Sequence, residues 1–158
     1  MSRLLGIDLG ERRIGVAIAD ADGRAMALTT LRRAAEAAQD AAAISRIVEE
    51  QDVAAIVVGL PLDMSGGEGG QAIATRAWVA AVEPLLAVPV RYRDERLSSH
   101  VAEQRVGPMK RGRSGGPPTR GQRDAWRGRV DREAAAIILQ DELDARESDP
   151  GRQTEAGS

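Results

Sequence analysis

The sequence predicts one α/β domain built on a mixed β-sheet, and three observations support this prediction. The chain has 158 residues, which is close to the usual size of a single domain. Short apolar runs at 4–9, 14–20 and 25–31 are separated by turn residues, a pattern typical of three antiparallel strands joined as a meander. The apolar period then changes to an alternation of helices and strands, which is typical of parallel strands.

The later elements follow in order along the chain. Residues 35–50 have a helix-forming composition and repeat apolar side chains at spacings of three and four. The apolar run at 53–61 is predicted to be a buried strand that ends near Gly59 and Pro61. We expect four further elements: a helix at 69–86, a strand at 88–93, a short helix at 98–106 and a last helix at about 131–146. The domain is expected to span 1–146, and the polar residues 147–158 are predicted to be a disordered tail.

Composition excludes several classes of protein. Without cysteine the chain can form no disulfide, no thiolate zinc site and no cysteine nucleophile, and its single histidine leaves little for an imidazole metal centre. Any bound metal must therefore use oxygen ligands. No apolar run approaches the roughly 20 residues that cross a bilayer. We therefore expect a cytoplasmic protein with no membrane partner.

Residues 107–129 form a strongly basic segment. Seven basic side chains against one acidic side chain give it a charge of +6, and it also holds six glycines and three prolines. It is predicted to be a long loop that binds nucleic acid, with arginines on phosphates and Trp126 stacked on bases. The alternative is a solvated loop whose charge aids solubility. The candidate contacts in this segment are Lys110, Arg111, Arg113, Arg120, Arg123, Trp126, Arg127 and Arg129.

An aspartate, Asp8, interrupts the first apolar strand. An ionised carboxylate in a buried strand is costly unless a positive or hydrogen-bonding group faces it, and this cost indicates a function. Gly6 and Gly10 lie on the same side of the strand and leave space for a ligand or another backbone. The alternative is an aspartate at the strand end that accepts hydrogen bonds from the turn at Gly10.

Two further acids, Asp94 and Glu95, follow the strand at 88–93, at the end where loops of an open α/β sheet usually build a site. Alternation places them on opposite faces of the strand, and the sequence leaves open which of them enters a pocket. The remaining acid would cap the helix that begins near Ser98 or pair with Arg96.

Asp131 is expected to open the last helix, on the stripe of apolar residues that faces the sheet. The alternative for this aspartate is a helix N-terminal residue, which stabilises a helix by roughly 0.5–2 kcal/mol. Asp8, Glu95 and Asp131 could nevertheless converge as hard oxygen ligands for Mg²⁺ or Mn²⁺.

Four blocks of the sequence resemble the signature blocks of the YqgF/RuvX family. They are GIDLGERRIGVAIAD at 6–20, VVGLPLDMSGGEG at 57–69, VRYRDERLSS at 90–99 and RVDREAAAIILQ at 129–140. The resemblance covers about residues 3–145, and four blocks in order are far more specific than a single Asp-x-Gly. The family belongs to the RNase H-like group and is described both as Holliday junction resolvases and as pre-16S rRNA nucleases.

The resemblance implies an RNase H-like domain: a five-stranded mixed sheet, with helices on both faces and an acidic site for divalent metal. Carried over block by block, the acids are Asp8, Glu95 and Asp131, which would hold two Mg²⁺ or Mn²⁺ ions. Related junction resolvases have a fourth acid one turn after the last of these, where this chain has Ala134. Three carboxylates are therefore expected to hold a second ion only together with substrate phosphate. The basic segment is also longer and richer in glycine than we expect for the family.

The resemblance and these acids together imply a metal-dependent nuclease. Asp8 would bridge the two ions, and Glu95 and Asp131 would hold one each. Flanking phosphates would be bound by Arg12, Arg13 and Arg96, whose alternative role is exposed solubilising charge. His100 could shuttle a proton, although its place in a short helix is more typical of a solvated residue. The glycine-rich stretch at 59–70 could present amides to a phosphate or be a flexible connection.

The expected substrate is structured nucleic acid, with the 5′ end of precursor 16S rRNA placed before four-way DNA junctions. A junction resolvase would act as a homodimer, because it must cut two strands symmetrically. Two other classes share single features with this chain. Actin-like enzymes that handle ATP carry Asp-x-Gly but need two such domains, and a non-catalytic nucleic-acid-binding module would explain the missing fourth acid.

Overall fold

The structure is a computed structural model that describes residues 3–20, 23–95, 98–112 and 115–148. Its strands are β1 (Arg3–Leu9), β2 (Arg13–Ala19), β3 (Ala25–Arg32), β4 (Val53–Pro61) and β5 (Val90–Glu95). Its helices are α1 (Ala37–Glu50), α2 (Gly70–Val82), α3 (Ser98–Val106) and α4 (Arg120–Glu147), and a short 3-10 turn at Glu83–Leu85 follows α2. The predicted elements are therefore present in the predicted order.

The strands form one mixed sheet in the order β3-β2-β1-β4-β5. β1, β2 and β3 pair antiparallel as a meander, whereas β4 pairs parallel with both β1 and β5. The predicted fold class is confirmed. Since β1, β4 and β5 run in the same direction, their carboxyl ends meet at one edge of the sheet, where an open α/β sheet usually places its site.

Helices cover both faces of the sheet. On one face, α1 and α2 bury an aliphatic cluster that includes Ile7, Ile44 and Val58. On the other face, α4 packs against small and branched side chains of the central strands, among them Ala17 and Val57. α3 packs on α4 in a third, smaller cluster. Within the described ranges, no helix has the length and apolar character needed to cross a membrane.

Glycines allow α4 to approach the sheet closely. A Cβ atom at Gly6 would lie 2.8 Å from the carbonyl oxygen of Ala135, and a Cβ atom at Gly15 would overlap the carbonyl oxygen of Asp131. Gly59 of β4 likewise faces α4. The open side predicted beside Asp8 is therefore occupied partly by the backbone of α4, which brings the helix onto the central strands.

The last helix is longer than predicted, because α4 begins at Arg120 rather than near residue 131. Thr119 caps it: its hydroxyl accepts a hydrogen bond from the Gln122 amide (3.1 Å), and its own amide donates to the Gln122 side chain (2.8 Å). The prediction of a loop across 107–129 is therefore wrong for its second half. The tail predicted at 147–158 lies outside the described residues from 149 onward, and α4 itself reaches Glu147.

The reason for this difference is an apolar stripe hidden among charges and glycines. Buried side chains recur at helical spacing along α4 and form one cluster with Ala102 of α3; they are Trp126, Val130, Ala134 and Ile137. The two glycines of this stretch, Gly121 and Gly128, obscured the period. Burial of the stripe outweighs the low intrinsic helix propensity of glycine.

Candidate active site

Asp8 lies at the carboxyl end of β1 and is partly buried. It pairs with Gly15 across the antiparallel ladder, and Gly15 faces Asp131 of α4. Burial raises the pKa of the Asp8 carboxyl to about 7, and the negative charge of Asp131 adds to this rise. The alternative of a turn-bound carboxylate is not favoured, because the Gly10 amide donates to the carbonyl of Arg13 at 2.8 Å.

Asp131 lies well inside α4, eleven residues after its first residue, Arg120. The alternative role as a helix N-terminal residue is therefore wrong. The close contact at Gly15 places this turn of α4 directly over β2. Burial raises the pKa of Asp131, although the positive charges of Arg13 and Arg127 act in the opposite direction.

The strand register decides between Asp94 and Glu95. Gly59 pairs with Arg93 and Pro61 pairs with Glu95, and Gly59 faces α4. Paired residues of neighbouring strands point to the same face of a sheet, so Glu95 faces α4 and shares this face with Asp8. Asp94 lies on the opposite face and is exposed.

A fourth acid, Asp141, joins the site from α4. The pKa of Glu95 rises to about 8, first through burial and then through a hydrogen bond and charge interaction with Asp141. Asp8 adds to the rise and Arg93 opposes it. Sequence reasoning missed Asp141; the available signal was its position two helical turns after Ala134, on the same edge of the stripe.

The acids interact in pairs that share Asp8. One pair joins Asp8 to Asp131 and the other joins Asp8 to Glu95. Among the residues that the structure describes, no three acidic or histidine side chains form a group that could hold a metal ion. What the fold provides is a set of mutually repelling, partly buried carboxylates on one face, and divalent cations suit such oxygen donors.

The loop after β4 lies beside Glu95. The Leu62 amide donates to the Glu95 carbonyl at 2.8 Å. Asp63 accepts hydrogen bonds from the amides of Ser65 (3.0 Å) and Gly67 (2.8 Å). Two amides that were predicted to be available to a phosphate therefore donate to Asp63 within the loop. The contact of the loop with β5 supports the position of Glu95.

Trp126 is a core residue. Its side chain is 7% exposed, and its indole N–H donates to the carbonyl of Gly107 at 2.7 Å. The prediction that this ring stacks on bases is wrong in this structure, because the ring fills the contact between α3 and α4.

The predicted basic residues have different surroundings. Some bind neighbouring groups: Arg111 donates to the Gly115 carbonyl (3.5 Å), Arg123 to the Pro118 carbonyl (2.7 Å), and Arg127 pairs with Glu103 (3.7 Å). Lys110 is exposed and Arg129 is half-buried, whereas Arg96 and Arg113 lie outside the described residues. Three line one groove near the acids: Arg12, Arg13 and Arg120. His100 is exposed on α3, next to Gln104.

A solved structure shares this fold. The chain is similar to a solved structure described as T. thermophilus RuvC in complex with Holliday junction substrate, with a TM-score of 0.55 and 15% identity over 94% of this chain and 97% of that chain. The fold is RNase H-like. Fold, acidic face and family comparison together define a nuclease, an enzyme that hydrolyses phosphodiester bonds.

The chain belongs to the RuvX family. The family model described as "RuvX: Holliday junction resolvase" matches residues 2–145, as the four blocks predicted. A relative from Anaeromyxobacter dehalogenans (strain 2CP-C), named "Putative pre-16S rRNA nuclease", is 48% identical over 145 residues, covering 91% of this chain and 98% of the relative. A relative of the same name from Chloroflexus aurantiacus (strain ATCC 29366 / DSM 635 / J-10-fl) is 42% identical over 152 residues, covering 96% and 93%.

Proposed function

We propose that this enzyme uses divalent cations, held by Asp8, Glu95 and Asp131, to hydrolyse phosphodiester bonds at the 5′ end of precursor 16S rRNA. The observation that carries the proposal is the placement of the acids on one face of the sheet: Asp8 pairs with Gly15, which contacts Asp131, and the β4–β5 register turns Glu95 to the same face. The raised pKa values, about 7 for Asp8 and about 8 for Glu95, support it. Burial is the main cause of both shifts. Perturbed acids of this kind concentrate at functional sites.

The acids are oxygen donors of the kind that hard cations such as Mg²⁺ or Mn²⁺ prefer, and in this proposal substrate phosphate would complete their coordination. The carboxylates offer oxygen ligands, and their mutual repulsion is relieved when a cation binds between them. Such cations activate a water molecule and stabilise the negative charge of the reacting phosphate. In this proposal Asp8 would contribute to holding both ions, and Glu95 and Asp131 would each hold one.

Three neighbouring residues influence the charge or the position of these acids. The pKa of Asp131 is raised by burial, and the positive charge of Arg13 opposes this rise and so favours the ionised carboxylate that a cation needs. Leu62 holds the backbone of Glu95 at the end of β5. Asp141 forms a hydrogen bond with Glu95 and, after burial, is the main cause of the raised pKa of Glu95, which a cation bound between the two carboxylates would lower.

RNA is the substrate that we favour, because the relatives at 42–48% identity carry the name pre-16S rRNA nuclease. A second candidate is a four-way DNA junction, which the description of the family and the similar RuvC structure both name. Cleavage of a junction would require a homodimer. The predicted cytoplasmic location belongs to the proposal, because a nuclease of precursor rRNA acts where ribosomes are assembled.

The test incubates purified protein with Mn²⁺ and two labelled substrates, a precursor 16S rRNA fragment and a four-way junction. We expect cleavage of the RNA, and a loss of at least about 100-fold in rate for Glu95→Gln, since metal binding supplies several kcal/mol of the barrier reduction. Asp94→Asn is the matched control, because the exposed Asp94 faces away from the site; its rate should match that of the parent protein.

Each other outcome has a defined meaning. Symmetric paired nicks in the junction with intact RNA would identify a resolvase instead. Equal cleavage rates for Glu95→Gln and the parent protein would show that catalysis does not depend on the proposed acidic site. Binding of either nucleic acid without cleavage would identify a non-catalytic module.

A further inference from the structure

Five arginines line a groove, and one of them, Arg13, acts electrostatically on Asp131 of the acidic site. The volume of the groove is about 510 Å³, within the size range of small-molecule sites. The lining residues come from the β1–β2 turn, the end of β3 and the start of α4; the arginines are Arg12, Arg13, Arg32, Arg33 and Arg120. The two acids of the lining are Glu11 and Asp124. Five positive against two negative side chains leave the groove with an excess of positive charge.

The fold holds these arginines together. Arg13 and Arg32 are paired in the β2–β3 ladder, so their side chains leave the sheet on the same face. The Arg33 guanidinium donates to the carbonyl of Gly10 at 3.0 Å, and the Arg33 amide donates to the carbonyl of Arg12 at 2.9 Å. The groove is therefore built by strand pairing and turn contacts, and its first lining residue, Glu11, follows Asp8 by three positions.

Arg13 connects the groove to the acids. It pairs with Asp124 of α4 at 2.9 Å and acts electrostatically on Asp131. Arg13 therefore lines the groove and also influences an acid of the candidate active site. Because Arg13 lines the groove and also acts on Asp131, we expect a nucleic-acid strand bound at the acids to place a neighbouring phosphate in the groove.

Two of the arginines have free donors. Arg32 and Arg120 are exposed, and neither side chain makes a hydrogen bond or ion pair with another residue in the described ranges. Guanidinium groups bind phosphate oxygens through two parallel hydrogen bonds. The repulsion among clustered arginines is relieved when an anion enters.

We propose that this groove binds a phosphate group of the substrate strand next to the phosphate that is cleaved, and that Arg32 and Arg33, which sequence reasoning did not select, belong to the binding surface. This inference rests on the proposed nuclease function. The ligand is a phosphate, which can be an internal phosphodiester or a 5′-terminal monophosphate.

The first experiment measures binding of a labelled single-stranded RNA, without divalent metal, by the Asp8→Asn protein and by the same protein with Arg32→Gln and Arg120→Gln. We expect about tenfold weaker binding, as for charged hydrogen bonds reduced by solvent screening. The slope of log K against log salt should fall in magnitude by about 0.7, which corresponds to one phosphate contact on a single strand. Arg46→Gln is the matched control, because Arg46 is exposed on α1, on the opposite face of the sheet. An unchanged slope would overturn the proposal.

The second experiment locates the phosphate by replacing single linkages near the cleavage position with neutral methylphosphonates. One replacement should weaken binding of the parent Asp8→Asn protein about as much as the arginine substitutions do, and it should add little further loss in the variant. If removal of the 5′-terminal phosphate has this effect instead, the groove binds the strand end. If every neutral linkage weakens both proteins equally, the groove does not contact phosphate.

Failure of this inference is distinguishable from failure of the proposed function. If the protein cleaves RNA and binds RNA equally well with and without Arg32 and Arg120, the proposed function stands and the groove proposal fails. If the protein binds neither RNA nor a four-way junction, both the proposed function and the groove proposal fail.

Discussion

The raised pKa of the Asp8 carboxyl leads to a quantitative prediction about the free energy of unfolding. Its pKa rises from 3.8 to about 7 in the folded protein, mainly through burial. Between these values the folded state binds more protons than the unfolded state, so the free energy of unfolding falls as the pH rises through this range. The loss begins near the unfolded value and is complete above the folded value.

The size of the effect follows from the shift. A change from 3.8 to about 7, at about 1.4 kcal/mol for each pKa unit, gives about 4 kcal/mol as an upper limit. Water that enters the partly buried site reduces this energy, so we expect a change of about 2–4 kcal/mol in the free energy of unfolding. The Asp8→Asn variant keeps the shape of the side chain without its charge. It should therefore be more stable than the parent protein by this amount at about pH 8 and nearly equal to it at about pH 4.

The assay is urea denaturation of both proteins, free of metal, at a series of pH values. Asp94→Asn serves as the control, since it removes one negative charge from the exposed face of β5. Added Mg²⁺ should stabilise the parent protein at about pH 8 and should stabilise Asp8→Asn much less, because a cation that binds the folded state raises its stability. If Asp8→Asn were no more stable than the parent at about pH 8, the carboxylate would be satisfied within the fold and the argument from burial would be refuted.

Three further predictions concern the parts of α4 that the sequence did not reveal. Gly15→Ala should destabilise the protein by about 1–3 kcal/mol or more, because its Cβ atom overlaps the Asp131 carbonyl; Gly70→Ala, with open space around it, is the control in thermal denaturation. Thr119→Ala should cost about 0.5–2 kcal/mol through loss of the capping box, and Thr119→Ser should restore most of it in the same assay. Trp126→Phe should lower the melting temperature but leave RNA affinity unchanged in a binding titration, since the buried ring has no free face for a base; a large loss of affinity with intact folding would contradict this burial.

The sequence allowed the element order and the mixed sheet to be predicted because both depend on local patterns. The change of apolar period after residue 35 marks the passage from the meander to the parallel strands, and the bounds of most elements fell within a few residues of the prediction. The exception is the start of α4. Its apolar stripe packs against α3, so its burial depends on a contact that a local pattern does not contain.

The candidate site divides in the same way. Asp8 was recognisable from the sequence because a charged residue inside an apolar strand is unusual wherever that strand lies. The choice of Glu95 over Asp94 required the register of β5 against β4, since two neighbouring residues of a strand face opposite sides and only the partner strand defines which side is covered.

The sequence by itself determined the order of the secondary structure, the absence of cysteine chemistry, the oxygen character of any metal site and the family. Only the tertiary structure decided that Asp141 joins the acids, that Trp126 is buried, and that Arg32 and Arg33 meet Arg12 in one groove. Local propensity acts between residues a few positions apart. Charge repulsion, burial and groove shape depend on distances in space, which strand pairing and helix packing set.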